Sequence, residues 1–157
     1  NCRTYEHEWK GKLFAGVVHI QCGGQARVAC GLNSRVTIIA SGVPANWDPS
    51  GRAADRINGW PKLVPDVTDG NPDPRILEAS RYVDAVNFAS RCQAEAILSV
   101  GFVDATCPPS SCYAAFNALR GKKEMLNEPL MNHAAPTHIQ EAFLARVLDH
   151  VKRRSAE

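Results

Sequence analysis

The chain has 157 residues, 45% of them hydrophobic and 22% charged, a balance that is typical of a globular domain and excludes a disordered or fibrous chain. We therefore expect a single domain over residues 1–157. Lys and Arg number 18 against 16 for Asp and Glu, a formal net charge of +2, and the basic residues are scattered apart from residues 152–154, so no nucleic-acid partner is expected. The longest apolar runs, residues 13–20 and 36–43, are too short to cross a bilayer, and no membrane partner is expected.

The cysteine spacing gives a prediction about metals and redox state. It contains neither a Cys-x-x-Cys pair nor a Cys/His cluster of zinc type, and the six residues are Cys2, Cys22, Cys30, Cys92, Cys107 and Cys112. We therefore predict no metal site and reduced, mostly buried thiols. Because the first residues are polar and lack the apolar segment of a secretory signal, a cytoplasmic location is expected, with a lost export signal as the alternative.

The first predicted elements are a strand, a turn, a helix and a second strand. Residues 13–20 form an apolar, partly β-branched run that predicts a strand, Gly23-Gly24 predicts a tight turn, and residues 25–32 predict a short helix. Residues 35–43 are almost continuously apolar, as is typical of a strand covered by helices on both faces.

A long segment rich in Pro, Gly, Asn and Asp follows, at residues 44–74, and its length predicts a functional loop or lid. It contains Trp47 and Trp60. Their aromatic faces suit an acyl or sugar pocket, and packing beneath a long loop explains them about equally well.

The second half of the chain continues the alternation of helices and strands. The predicted elements are a long helix opened by Asp73-Pro74, a buried strand over 94–102, a helix opened by Pro108-Pro109, a short strand over 123–128 and a final helix from Thr137. Alternation of this kind predicts an α/β domain with a parallel sheet. Residues 20–24, Asp104 and His133 each follow a strand, so we expect them to converge at the carboxyl edge of the sheet. His138 and His150 are expected at the surface.

Two motifs resemble those of a known hydrolase family. GFVDATCPPSSCYAAFNAL, at 101–119, resembles the strand, acid, Cys-Pro-Pro and helix segment of the acetyl xylan esterase and cephalosporin-C deacetylase family of α/β-hydrolases. MNHAAP, at 131–136, resembles its Gly-His segment, with Asn132 in the glycine position. The resemblance implies that Asp104 and His133 are the acid and the histidine of a catalytic triad. It also implies an α/β-hydrolase-like parallel sheet flanked by helices, here without the N-terminal strands of the family.

The nucleophile position departs from the family pattern. The family reads Gly-Ser-Gln-Gly-Gly-Gly where this chain has HIQCGG at 19–24, so Ile20 takes the place of the serine. Isoleucine cannot attack a carbonyl, and its branched side chain does not suit a strained elbow. Cys22 is the candidate nucleophile, since dienelactone hydrolases have a cysteine in such an elbow and a thiolate activated by His133 is competent; an inert buried thiol is the alternative. The substrate and oxyanion region then comprises Ile20, Gln21 and Gly23.

The resemblance implies a carboxylic-ester hydrolase of acetyl esterase or deacetylase type that acts on small acyl esters, such as acetylated sugars. It implies no metal or organic cofactor. The alternative is a catalytically impaired hydrolase remnant that acts as an oligomeric binding or interaction protein, which Ile20 favours. Half a sheet leaves a strand edge exposed, so a homo-oligomer is expected in either case.

Overall fold

The computed structural model describes residues 14–19, 21–65 and 72–156, with the backbone alone for 14–19, 21–23, 25–27 and 52. The strands are β1 (Phe14–His19), β2 (Val36–Gly42), β3 (Glu95–Gly101) and β4 (Lys123–Glu128), and the helices are α1 (Gln21–Leu32), α2 (Pro74–Arg81), α3 (Ala85–Ala89), α4 (Pro109–Ala118) and α5 (Thr137–Ser155). All the strands pair in parallel, in the order β1-β2-β3-β4, which confirms the predicted parallel α/β sheet. Within these residues, no helix combines the length and the apolar character that crossing a membrane requires.

The central strands are covered on both faces because their apolar residues point alternately to opposite sides. On one face Ile38, Ala40 and Ile97 pack against Ile139, Phe143 and Val147 of α5. On the other face, residues of β2 and β3 such as Ile39 and Leu98 pack among α1, α3 and α4. Every residue of β3 is buried, as predicted for this strand, and its buried residues include the polar Glu95 and Ser99.

The predicted turn at Gly23-Gly24 is wrong, because α1 already begins at Gln21 and the glycine pair lies in its first turn. The need for glycine at position 24 comes from packing. A Cβ there would lie 2.5 Å from the Ala45 carbonyl oxygen, which belongs to the loop that follows β2. Gly24 therefore allows the loop to cross directly over the start of α1.

The predicted long helix after Asp73 is broken into α2 and α3. Asp73 caps α2 as predicted, since its side chain accepts a hydrogen bond from the Arg75 N–H at 2.8 Å. Asp84 then starts a new helix by accepting the Val86 N–H at 2.9 Å. An aspartate favours an N-cap over a helix interior, because its side chain competes for backbone donors.

The long loop after β2 is ordered by buried polar contacts. The Asp48 N–H donates to Asp84 Oδ1 at 3.2 Å, and the Arg56 guanidinium binds the Asp48 carboxylate at 2.8 Å. Burial raises the pKa of Asp84, although two backbone N–H groups oppose that effect. Trp47 is 1% exposed and belongs to the core, whereas Trp60 is 39% exposed. Packing therefore explains Trp47.

The prediction of reduced thiols is wrong for two cysteines. Cys30 of α1 and Cys92 form a disulfide, and both are buried. They are 62 positions apart in sequence, and only the packing of α1 beside the segment after α3 brings them together. Cys107 and Cys112 carry buried thiols, as predicted.

Candidate active site

Asp104 lies three residues beyond β3, in a tight turn that leads into α4. Its Oδ1 accepts hydrogen bonds from the N–H groups of Thr106 at 2.8 Å and Cys107 at 2.9 Å. This is the local turn that an aspartate side chain favours, and Pro109 then supplies the fixed φ of a first helical residue. The carboxylate is completely buried, and these two donors hold its orientation.

His133 lies in the loop that follows β4, and this loop is attached to the end of β3. The Phe102 N–H donates to the Glu128 carbonyl at 3.1 Å, and the Val103 N–H donates to the Met131 carbonyl at 3.3 Å. A Cβ at Gly101 would collide with the Met131 carbonyl oxygen, so glycine is needed for this approach. The two loops that carry Asp104 and His133 are thus held together by the backbone.

The two side chains meet as the sequence predicts. His133 Nδ1 lies 2.9 Å from Asp104 Oδ2, and the imidazole is 25% exposed. An ionised carboxylate only accepts hydrogen bonds, so the imidazole donates through Nδ1 and its lone pair is on Nε2. Among the described residues, no group forms a hydrogen bond with that Nε2. The arrangement can accept a proton at Nε2 and stabilise the resulting charge through the buried carboxylate.

Cys107 is a third group at this site, and sequence reasoning overlooked it. Its Sγ, an Asp104 carboxylate oxygen and a His133 ring nitrogen all lie within 4.8 Å of one another. Burial, and to a lesser extent the charge of Asp104, raise the pKa of the Cys107 thiol to about 12. The thiol is therefore neutral near pH 7 and is not a nucleophile. The available signal was the Asp-x-x-Cys spacing, which places the Cys107 N–H on the Asp104 carboxylate.

The predicted nucleophile region lies at the junction of β1 and α1. Position 20 separates the last residue of β1 from the first residue of α1, and Ile20 lies outside the described residues. Gln21, Cys22 and Gly23 form the first turn of α1, whose leading N–H groups have no partner within the helix. The structure describes only the backbone of Cys22, so its role as nucleophile stays a prediction.

The predicted surface position is confirmed for His138 but not for His150. His138 is exposed, as predicted, and its Nε2 lies 2.8 Å from Glu128 Oε1. His150 is only 7% exposed, so its predicted surface position is wrong. It shares the inward face of α5 with Phe143 and Val147, and the helical period could have revealed this.

Comparisons with known proteins show the family of the chain. A sequence model described as acetyl xylan esterase (AXE1) matches residues 50–151, which include Asp104 and His133. Acetyl esterase Axe7A of Xylanibacter ruminicola is 30% identical over 126 residues, which are 80% of this chain and 28% of that protein.

Solved structures show the same fold. An acetyl xylan esterase from Paenibacillus sp. R4 superposes with a TM-score of 0.72 and 26% identity, over 86% of this chain and 44% of that one. Acetyl xylan esterase 1 from Thermoanaerobacterium sp. JW/SL YS485 gives a TM-score of 0.71 and 22% identity, over 85% and 44%. The chain thus spans less than half the length of these relatives. It belongs to the acetyl xylan esterase family and has the α/β-hydrolase fold over the part that it spans.

Proposed function

We propose that this chain supplies the acid and the base of an acetyl-ester hydrolase that acts on acetylated sugars or other small acyl esters. The observation that carries the proposal is the 2.9 Å contact between His133 Nδ1 and Asp104 Oδ2, with Asp104 buried and His133 partly open. The names of the relatives, acetyl esterase and acetyl xylan esterase, support the choice of substrate.

The proposed mechanism is acyl transfer in two halves. His133 Nε2 takes the proton of the nucleophile as the nucleophile attacks the acetyl carbonyl, and returns it to the departing sugar oxygen. Water then attacks the acyl-enzyme with the same base, and acetate leaves. Asp104 keeps the proton on Nδ1 and stabilises the imidazolium through both steps.

The proposed nucleophile is Cys22, at the start of α1. The backbone N–H groups of this first turn face the end of the sheet from which Asp104 also emerges, because β1 and β3 are parallel. Backbone donors at a helix start suit a developing oxyanion, and Ile20, Gln21 and Gly23 would form that region.

A second candidate function is that of a non-catalytic remnant that assembles as a homo-oligomer and binds partners. It is favoured by Ile20 in the place of the family serine. The sheet adds a second reason, because among the described residues β1 pairs with β2 alone and presents its other edge.

Hydrolysis of p-nitrophenyl acetate by the native 157-residue chain separates the two candidates. We expect turnover that falls by at least about 10³-fold in His133→Ala and in Cys22→Ala, because base and nucleophile act as a unit. His138→Ala is the matched control, since His138 is an exposed histidine outside the pair, and it should retain native turnover.

Native turnover no greater than that of buffer contradicts the enzyme proposal. Full activity in Cys22→Ala together with loss of activity in His133→Ala contradicts Cys22 as the nucleophile and leaves His133 as the base. For the second candidate, sedimentation should show an oligomer, and a monomer at every concentration contradicts that assembly.

A further inference from the structure

We propose that Asp104, Cys107 and His133 form a binding site for a thiophilic divalent cation such as Zn²⁺. The three ligand atoms are a carboxylate oxygen, a sulfur and a ring nitrogen, all within 4.8 Å of one another. Oxygen, sulfur and imidazole nitrogen are the ligand types of zinc sites, whereas Mg²⁺ and Ca²⁺ favour oxygen alone.

The geometry needs only a modest adjustment. Ligand atoms around a tetrahedral zinc ion lie about 3.3 to 3.8 Å apart. His133 Nδ1 and Asp104 Oδ2, now 2.9 Å apart, would therefore separate slightly. The sulfur, within 4.8 Å of both, would approach them by about 1.5 Å at most. Asp104 is already oriented by two backbone N–H groups on Oδ1. The cation would replace the His133 Nδ1 contact that Oδ2 makes at 2.9 Å. Three protein ligands leave a fourth position for water.

Sequence spacing did not predict this site because its ligands come from different elements. Asp104 and Cys107 share one turn, but His133 comes from the loop after β4. The backbone bonds between the β3 and β4 loops bring the histidine to the turn. His133 therefore lies near Asp104 and Cys107 only because β3 and β4 are adjacent parallel strands whose following loops are bonded together.

Binding has a defined proton balance. The Cys107 thiol loses its proton to solvent when the sulfur binds the cation. The proton of His133 moves from Nδ1 to Nε2 when Nδ1 becomes a ligand. Nε2 then has no lone pair for the proton of a nucleophile, so the cation would act as a reversible inhibitor. This inhibition rests on the proposed esterase function, whereas the binding itself does not.

Titration of the native chain with Co²⁺, which absorbs strongly when it binds a thiolate, tests the site directly. We expect a thiolate-to-cobalt absorption band in the native chain that excess Zn²⁺ removes. The band should disappear in Cys107→Ser and persist in Cys112→Ser, since Cys112 is an equally buried thiol of α4 outside the cluster. Circular dichroism verifies that both variants fold.

His133→Gln is a second variant that changes a partly exposed side chain, and it should weaken Co²⁺ binding by at least about tenfold. The proposal is overturned if the native chain gives no thiolate band, or if the band survives in Cys107→Ser. Where the native chain hydrolyses p-nitrophenyl acetate, Zn²⁺ should inhibit it, and Cys107→Ser should need at least about tenfold more Zn²⁺ for the same inhibition. A chain without esterase activity contradicts the proposed function, while the cobalt spectra still decide the metal site.

Discussion

Two carboxylate–histidine pairs with buried carboxylates lie at opposite ends of the same sheet. Asp104 and His133 follow the carboxyl ends of β3 and β4, whereas Glu95 is the first residue of β3 and binds His150 of α5. In both pairs the histidine Nδ1 contacts a carboxylate oxygen, at 2.9 Å and 3.1 Å. This contact alone therefore does not distinguish a catalytic pair from a structural one.

In the Glu95–His150 pair, both the carboxylate and the imidazole have further polar partners. Arg146 and Arg153 bind the Glu95 carboxylate at 3.1 Å and 2.9 Å, and Thr37 Oγ1 lies 3.0 Å from the second ring nitrogen of His150. Both nitrogens of His150 have partners and the ring is buried, so this pair attaches α5 to the start of the sheet. The imidazole of His150 thus bridges a threonine hydroxyl and a glutamate carboxylate, and here this arrangement is a structural network.

The Asp104 pair is open on one side. Backbone N–H groups hold its carboxylate, and its one recorded ion pair among the described residues is with His133. The imidazole is a quarter exposed, and its second nitrogen has no hydrogen-bond partner within the described part of the chain. The two pairs thus differ in the surroundings of the second histidine nitrogen, and this difference is the reason to propose a catalytic role for Asp104 and His133 alone.

The largest effect on stability should come from breaking the Glu95 pair. Glu95→Gln leaves two arginines and a histidine without their shared carboxylate, and we expect a loss of about 3 kcal/mol in the free energy of unfolding. Glu128→Gln is the matched control, because Glu128 and His138 form an exposed pair whose loss should cost less than about 1 kcal/mol. Urea unfolding measures both. Equal losses would contradict the structural role of the Glu95 network.

A smaller effect should appear as the pH falls. Burial tends to raise the pKa of Glu95, but hydrogen bonds from Arg153, His150 and Arg146 outweigh it and lower the pKa to about 2. Because the pKa is lower in the folded state than the ordinary value of 4.5, the contribution is fully present above pH 4.5 and disappears as the pH falls towards 2. The stability difference between the native chain and Glu95→Gln should shrink over this interval. A difference that stays constant from pH 5 to about pH 2 would contradict the lowered pKa.

The two ends of the sheet also differ in how far the sequence predicts them. Asp104 and its turn are specified within a few residues by a local motif, and His133 follows at the next strand end. The Glu95 network joins the starts of two strands to α5, and such long-range charge contacts leave no short pattern in the sequence. Periodicity does place His150 on the buried face of α5, and that information was available.

The disulfide is a second feature that sequence spacing did not reveal. Cys30 and Cys92 pair because α1 and the segment after α3 pack against each other, which no Cys-x-x-Cys pattern encodes. The cytoplasmic location that the sequence predicts stays a prediction.

The catalytic role that we propose for the Asp104 pair is tested most directly by kcat/KM for p-nitrophenyl acetate in Asp104→Asn, measured beside the native chain. An asparagine keeps the shape but no longer holds the proton on His133 Nδ1, so we predict a fall of about 10³ to 10⁴-fold, as when the acid of a triad is lost. Glu95→Gln, measured well below its unfolding temperature, should retain native kcat/KM. Equal kcat/KM in the native chain and Asp104→Asn would contradict the assignment of Asp104 and His133 as the catalytic pair.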